Sequence, residues 1–435
     1  MKNSILIIGA GAAGSMAAYL LSKAGKNVTL LEARNRAGGR IYTLNDISFF
    51  NHTELGAEFI HGDLPVTINL LKEAGISYRS ANAEMWQFRN NCFEANSMVI
   101  NDWDKLLEKL NELKQDTNIY DFLLKEFPGI KYEELRDSVW KYVSGYDTAD
   151  PRQASAFALR KEWQNEEPDT QHRVNGGYGA VITFLLNQCK ANGGEVFFNT
   201  VAKEIKWQDG KVSVFTTDGK AYEAEILIIA IPLGVLQAKH SHTATVTFNP
   251  PVPEHLFALK QIGFGSVIKV LFEFKRSFWL DTKIQETTNH NINAMGYLFS
   301  DQEIPTWWTQ VPDNSNVLTG WIGGPAAHSK LNLTDSDIAL QGLQSLSVIF
   351  KCTVQELKGE LIASRIMNWT ADPFTLGSYA YDMINSADAR KVLNTPVSHT
   401  LYFTGEYLYE GAAMGTVEAA LSSATYVANK ILGNK

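Results

Sequence analysis

Residues 4–14, Ser4-Ile5-Leu6-Ile7-Ile8-Gly9-Ala10-Gly11-Ala12-Ala13-Gly14, run from an unbroken apolar segment straight into three glycines spaced G-x-G-x-x-G. An apolar run this short, ending at glycine, predicts a parallel strand buried on both faces. Ala12 to Lys23 is rich in small and apolar residues and predicts a helix, and Asn27 to Leu31 predicts a second strand. Together they make one βαβ unit in about 30 residues. Gly9 permits the tight turn, Gly11 lets backbone approach a pyrophosphate, and Gly14 lets the helix pack closely on the strand. The helix start at Ala12 and Ala13 offers free amides and a positive dipole end to phosphate. Glu32 ends the second strand, where a carboxylate accepts ribose hydroxyls. Glycines in register with strand, helix, strand and acid predict a dinucleotide site.

The residues that follow favour FAD over NAD. Ala37-Gly38-Gly39-Arg40 places two glycines and a guanidinium just past the acid, where an arginine can sit against pyrophosphate. Far along the chain, Leu401-Tyr402-Phe403-Thr404-Gly405-Glu406 predicts a strand ending in a second carboxylate, placed to hold the ribityl part of a long extended cofactor. A nucleotide domain that closes only near residue 405 is discontinuous.

Working outward, residues from about 80 predict a mostly helical insertion. Trp103, Leu106, Leu107, Leu110 and Leu113 recur at helical spacing with Asp102 placed as cap, and 121–125 and 132–142 also read as helical. Val174 to Gly179 predicts a turn and Ala180 to Lys190 a helix. Strands are expected at 195–198, 201–207, 211–216 and 224–230, the middle two as a hairpin across Asp209-Gly210. Ser266 to Phe274 and Val317 to Ile322 predict strands of a second sheet, with amphipathic helices between 336 and 350 and a polar loop over 281–293. Thr400 to Thr404 predicts a last strand and Thr416 to Leu432 a last helix. The expected class is α/β: a discontinuous Rossmann-like FAD-binding domain (1–76, 175–238 and 395–435) with an inserted α+β substrate-binding domain (77–174 and 239–394).

Composition narrows the function. A length of 435 residues suits two packed domains, and 45% hydrophobic with 20% charged residues describes an ordinary globular protein. A formal charge of −8 argues against nucleic acid, whose phosphates need basic surface, and is compatible with a cationic substrate. Cys92, Cys189 and Cys352 are odd in number and far apart, which fits no disulfide framework or zinc ribbon and predicts a reducing, cytoplasmic setting. Lys2 followed by Ser4 to Leu21 has the texture of a secretory signal, but the glycine spacing favours the folded reading. No stretch offers the roughly 20 apolar residues of a membrane span, and the segment 431–435 reads as no tail anchor. His240-Ser241-His242 has a chelating look without an evident third ligand, so no metal site is expected.

Ordered motifs along nearly the whole chain resemble the flavin-containing amine oxidases, the group with monoamine oxidases, polyamine oxidases and flavin histone-lysine demethylases. They are the N-terminal glycines with Leu31-Glu32-Ala33-Arg34 and Gly38-Gly39-Arg40, then Leu55-Gly56-Ala57-Glu58-Phe59-Ile60-His61-Gly62 and Gly176-Gly177-Tyr178. Phe264-Gly265-Ser266-Val267-Ile268-Lys269, Trp369-Thr370-Ala371-Asp372-Pro373 running to Gly377-Ser378-Tyr379, Gly405-Glu406 and Gly415-Thr416-Val417-Glu418-Ala419-Ala420 complete them. The resemblance implies a GR2-type FAD domain and oxidation of a C–N bond by hydride transfer to flavin. Dioxygen would be the acceptor, giving hydrogen peroxide, and the imine would hydrolyse; the cofactor does the hard chemistry and the protein positions it. As cofactor residues it implies Gly9, Gly11, Ala12, Ala13, Gly14, Glu32, Ala33, Arg34, Gly39, Arg40, Gly56, Ala57, Glu58, Val201, Trp369, Gly405, Glu406, Thr416 and Val417.

Lys269 is the leading candidate for a catalytic residue. Flanked by Val267, Ile268, Val270 and Leu271, it needs a polar partner if buried, whereas exposed it would only discourage edge pairing. The resemblance gives it a water that bridges to the reactive flavin nitrogen, and burial would lower its pKa. Tyr379 and Trp369 match positions that flank the flavin face, with core packing as the alternative for each. Ser378 stands where covalent relatives carry the tethering cysteine, which implies non-covalent FAD. Thr416 departs from the family, many members of which have a tyrosine there as second wall of an aromatic cage; Tyr407 and Tyr409 lie near in sequence. The N-terminus of the last helix suits negative charge on the pyrimidine end of the flavin. Glu58 and His61 sit where a polycation or the cofactor loop would be contacted, with a structural histidine as the alternative. Two other functions remain open at this point: a desaturase or protoporphyrinogen-oxidase-like enzyme acting on an apolar ring, and a non-catalytic flavin-binding redox module.

Overall fold

The computed structural model describes residues 4–45, 48–95, 100–164, 170–239, 242–281, 284 and 291–433. Residue 284 apart, most of the expected loop at 281–293 lies outside the described residues, as do His240 and Ser241. The apolar runs of the nucleotide half form one parallel sheet in the spatial order Glu195–Phe197, Asn27–Leu31, Ser4–Ile8, Ile226–Ile229, Leu401–Phe403. Its central strand explains why the run has no polar break. Ile5 and Ile7 face a helical layer, while Leu6 and Ile8 face the opposite layer, and all four are buried. Each such side chain contributes about 1.5–3 kcal/mol of burial.

The helical layer is Ala12–Lys23, Gly179–Ala191 and Val417–Leu432, joined through Ala17, Leu21, Leu185, Leu421 and Ala424. The opposite layer is an antiparallel meander, Ala202–Gln208, Lys211–Thr216 and Ala221–Ala224, extended by Thr247–Asn249. Helix Pro65–Ala74 joins the first layer through a carboxylate from the last helix. Glu418 accepts the Val66 and Thr67 amides at 2.9 and 2.7 Å, supplying the cap that Leu64 lacks.

The second unit is a seven-stranded sheet in the order Leu361–Asn368, Val267–Phe274, Val317–Gly323, Thr306–Trp308, Met295–Ser300, Glu84–Arg89, Cys92–Ala95. Helix Asp335–Ile349, one helix rather than several, covers one face and begins at a Thr334/Asp337 capping box. A separate helical layer, Trp103–Glu112, Ile119–Glu126, Glu133–Gly145 and Ala156–Gln164, has its own core around Leu106, Phe122, Val139 and Trp163.

Two local expectations are corrected. Residues 84–95 form a strand hairpin instead of the start of a helical insertion. Trp86 and Phe88 alternate with half-buried Met85 and Gln87, and Asn90 and Asn91 turn the chain with φ of 51° and 60°. Asp102 does not cap its helix by side chain. Its backbone is left-handed at φ 61°, whereas a capping carboxylate needs an extended residue to reach the N2 or N3 amide.

Candidate functional site

One cavity of about 2290 Å³ collects the candidate residues from seven separate stretches of chain. Of those named above, all line it except Gly14. Gly14 acts from behind. A Cβ there would lie 1.8 Å from the Gly9 carbonyl oxygen, so the helix reaches the strand only because no side chain intervenes. Gly9 has φ +100°, and a Cβ on it would meet Ala230 O at 2.6 Å. Around Gly11 the nearest atom to a Cβ is Gly38 O at 3.9 Å, which leaves its peptide open to the cavity. The surroundings of the three glycines differ in the way that a pyrophosphate cradle would require.

Glu32 is buried and fixed, its Oε2 accepting the Ala10 amide at 2.8 Å and its Oε1 the Arg34 amide at 2.9 Å. A carboxylate has about four acceptor sites, so further donors can still be received. Arg34 turns aside to Asp372 and to Thr375 at 2.9 Å. Arg40 lines the cavity with its Nη1 donating to the Ser378 carbonyl at 2.5 Å and to Glu406 at 2.9 Å, which fixes the guanidinium at that wall. Glu406 also accepts the Ala380 amide at 3.1 Å. Arg40 and Glu406, 366 positions apart, pin the first and last parts of the chain together across the cavity wall. Val201, Gly405 and the N-terminus of the last helix at Thr416 and Val417 complete this wall. Thr416 caps that helix, accepting the Ala419 amide at 3.3 Å and donating to Ala413 O at 2.7 Å. Two helix N-termini thus open on one cavity, the first suited to phosphate and the second to negative charge on the flavin. These residues fit FAD. Cys92, Cys189 and Cys352 are not among the lining residues, so no thiol is placed for a tether.

At the other end lies a buried ionic cluster. Lys269 is 1% exposed, the third residue of strand Val267–Phe274, which pairs with a neighbouring strand on each side, and this removes the exposed-edge alternative. Its Nζ donates to Glu58 Oε2 at 2.5 Å and to Gly56 O at 3.2 Å, and it lies 5.3 Å from the Trp308 ring centre. Glu58 also accepts Arg173 Nη1 at 2.5 Å and Trp308 Nε1 at 3.1 Å. Arg173 is held in turn by Gln310 at 2.9 Å and Thr309 O at 3.1 Å. Burial by itself would push the Glu58 carboxyl up, but Lys269 and Arg173 outweigh it and hold it below the ordinary value. The protein partner that Lys269 required is thus Glu58, a residue first assigned to the cofactor or to substrate.

Trp369 stands behind the same loop. Its Nε1 donates to Leu55 O at 2.9 Å, and a Cβ on Gly56 would touch its ring at 3.3 Å. Tyr379 leans on Gly415, where a Cβ would fall 2.7 Å from its ring, and its hydroxyl donates to Tyr146 O. Burial, with Asp147 and Tyr146, pushes that hydroxyl well above the ordinary tyrosine value, so it stays protonated. Beyond it Tyr146 meets His61 edge-on at 6.1 Å and stacks on Tyr142 at 5.5 Å. Tyr407 is fully buried behind Gly405. Sequence reasoning missed Tyr146, Trp308 and Arg173. None of the three lies within a quoted motif, and a helix-end tyrosine reads like any other. Among the described residues no group of three or more His, Cys, Asp or Glu could hold a metal ion. His242 Nδ1 accepts the Ala244 amide at 3.2 Å.

The family model for flavin-containing amine oxidoreductases matches residues 12–432. The chain belongs to that family. FAD is accordingly its cofactor, and it is a FAD-dependent amine oxidoreductase. It is 25% identical to polyamine oxidase 4 of Oryza sativa subsp. japonica over 99% of this chain and 90% of the relative. It is 26% identical to human lysine-specific histone demethylase 2 over 93% of this chain, but spans only half of that protein. Among solved structures, wild-type putrescine oxidase bound to putrescine matches with a TM-score of 0.78 at 20% identity, covering 99% of each chain. Cyclohexylamine oxidase from Brevibacterium oxydans matches at 0.77 and 18%, again over 99% of each. These two likenesses establish the two-unit fold. No helix among the described residues is long and apolar enough to cross a membrane.

Proposed function

We propose that this amine oxidoreductase takes a primary or secondary amine, with polyamines first among the candidates, and passes its electrons to dioxygen with release of hydrogen peroxide. The observation that carries the reading is the buried Lys269–Glu58 pair on the wall of a cavity that Tyr379 and Tyr146 also line. Bound FAD supplies the hydride acceptor and the site for reaction with dioxygen. The chain's residues supply the rest. Tyr379 and Tyr146 form two sides of an aromatic slot that receives the amine and holds its cation. Tyr146 takes the place of the wall that Thr416 cannot provide, and His61 borders it. Lys269 holds a hydrogen-bond donor at a fixed point, anchored by Glu58, which Arg173 holds in turn, and Trp369 fixes the Leu55 backbone of the loop that would flank the cofactor. FAD is held without a covalent link.

The cavity exceeds the roughly 300–1,000 Å³ of an ordinary small-molecule site, leaving room for cofactor and an extended substrate together. Relatives named as polyamine oxidases point the same way. The domain division 1–76, 175–238 and 395–435 against 77–174 and 239–394 belongs to this reading. The test is anaerobic mixing of the yellow enzyme with monoamines, polyamines, amino acids and lysine peptides. Bleaching of the flavin band by an amine, with peroxide on readmitting air, is the expected result. A flavin reduced by no amine, or by apolar ring compounds alone, would overturn it.

A further inference from the structure

Behind the ionic cluster lies a second, smaller cavity of about 370 Å³, and Glu58 lines both. Its walls are nearly all polar: His52, Thr53, Glu54, Arg79, Arg173 and Gln310 among others. Exposed His52, Asp313 and Asn314 stand at its mouth, and Glu54 and Glu58, 4% and 6% exposed, at its inner end. Three buried polar atoms on its lining residues have no hydrogen-bond partner in the protein: Glu54 Oε2, Arg79 Nε and Arg173 Nε. Such atoms are normally satisfied by ordered water, and this volume holds several molecules at about 30 Å³ each.

Amine oxidation makes a demand that this cavity meets. The substrate enters as an ammonium ion and must lose a proton before its C–H bond can give up hydride. An extended amine filling the main cavity also stands between the reacting nitrogen and bulk water on that side. We propose that the small cavity is a proton route from the amine site to solvent, with Glu58 at its inner end and Glu54 as the relay. The N–H bond of the ammonium breaks, the proton passes along water to a Glu54 oxygen, and an O–H bond forms there. Glu54 then gives the proton to water at the mouth, and no electrons move.

The surroundings of Glu54 suit this task. Its Oε1 accepts Thr43 Oγ1 at 2.8 Å and the Tyr178 amide at 2.6 Å, leaving Oε2 toward the cavity as the free site. Burial, against Thr43, the Tyr178 amide and Lys269 but with Glu58, pushes its carboxyl up to about 7. The other charged or titratable groups around the cavity are His52, Arg79, Arg173, Glu273 and Asp313. Glu58, held anionic, attracts the proton in transit without keeping it.

The inference rests on the amine-oxidising reading, and two measurements separate their fates. In FAD-loaded wild-type enzyme, infrared titration should show one protonated-carboxyl band lost near pH 7, and Glu54→Gln should lack it. With a pH indicator during anaerobic mixing with putrescine, Glu54→Gln should release its proton at least roughly tenfold more slowly, with the flavin spectrum unchanged. Glu54→Asp should restore much of the rate, and it replaces the glutamine variant if that fails to accumulate. Wild-type release rates and pH profile in Glu54→Gln would overturn the route. If no amine bleaches the wild type, the functional reading fails separately, and absence of the carboxyl band then overturns the relay as well.

Discussion

The two ends of the main cavity are built on opposite physical terms. At the glycine-rich end the chain removes side chains: Gly9 and Gly14 leave no room for a Cβ, Gly11 leaves backbone open to the cavity, and Glu32 is fixed by neighbouring amides. At the other end it buries charge, one carboxylate between two cations, against the rings of Phe59 and Trp308. A backbone cradle is intolerant of any added atom. A buried ionic cluster tolerates replacement of the whole but not of one member, because a lone buried charge has lost its compensation.

The comparison can be broken first at the nucleotide end. Gly14→Val drives side-chain atoms into the Gly9 carbonyl, and is expected to abolish FAD retention, read as colourless protein after purification with added FAD. A yellow variant would show that the close helix–strand contact is dispensable. Next, Lys269→Met should keep FAD but slow turnover at least roughly tenfold, measured by anaerobic flavin reduction and by reoxidation. Unchanged rates in both would remove Lys269 from the mechanism.

Glu58→Gln leaves Lys269 and Arg173 as buried like charges, and should cost about 3–5 kcal/mol in denaturant unfolding. Combining it with Lys269→Met should recover part of that loss, and strict additivity would mean that the pair is not coupled. The two neighbouring carboxylates should also titrate in opposite senses. Glu58 is depressed, so its contribution is present above the unfolded value near 4.5 and lost as pH falls through its folded value. Glu54 is raised, so its contribution is present below 4.5 and lost as pH rises through about 7. Glu54→Gln should therefore flatten the fall in stability between pH 5 and 8, by on the order of 1–3 kcal/mol. The smallest effect expected is Thr416→Ala, about 1 kcal/mol from loss of the helix cap, with FAD still bound.

Local chemistry explains which parts of this site could be read before folding. Gly9, Gly11, Gly14 and Glu32 lie within one βαβ unit, so spacing along the chain equals placement in space. The hairpin at 84–95 was missed because six residues of alternation resemble the edge of a helix until a partner strand, Met295–Ser300, pairs with them. Arg40 and Glu406 both line the cavity, but their ion pair across 366 positions could not be read from either segment alone.

Lys269 marks the boundary between the two kinds of knowledge. The sequence determined that a lysine stands in an apolar strand and must find a polar partner if buried. It also determined the glycine-rich βαβ unit and the last apolar run, Leu401–Phe403, that joins the same parallel sheet. Tertiary structure decided that the strand lies inside the sheet, paired on both sides, and that the partner is Glu58 shared with Arg173. The reason is physical: periodicity and glycine spacing are properties of a continuous backbone, whereas compensation of a buried charge depends on which distant elements the folded core brings within 3 Å.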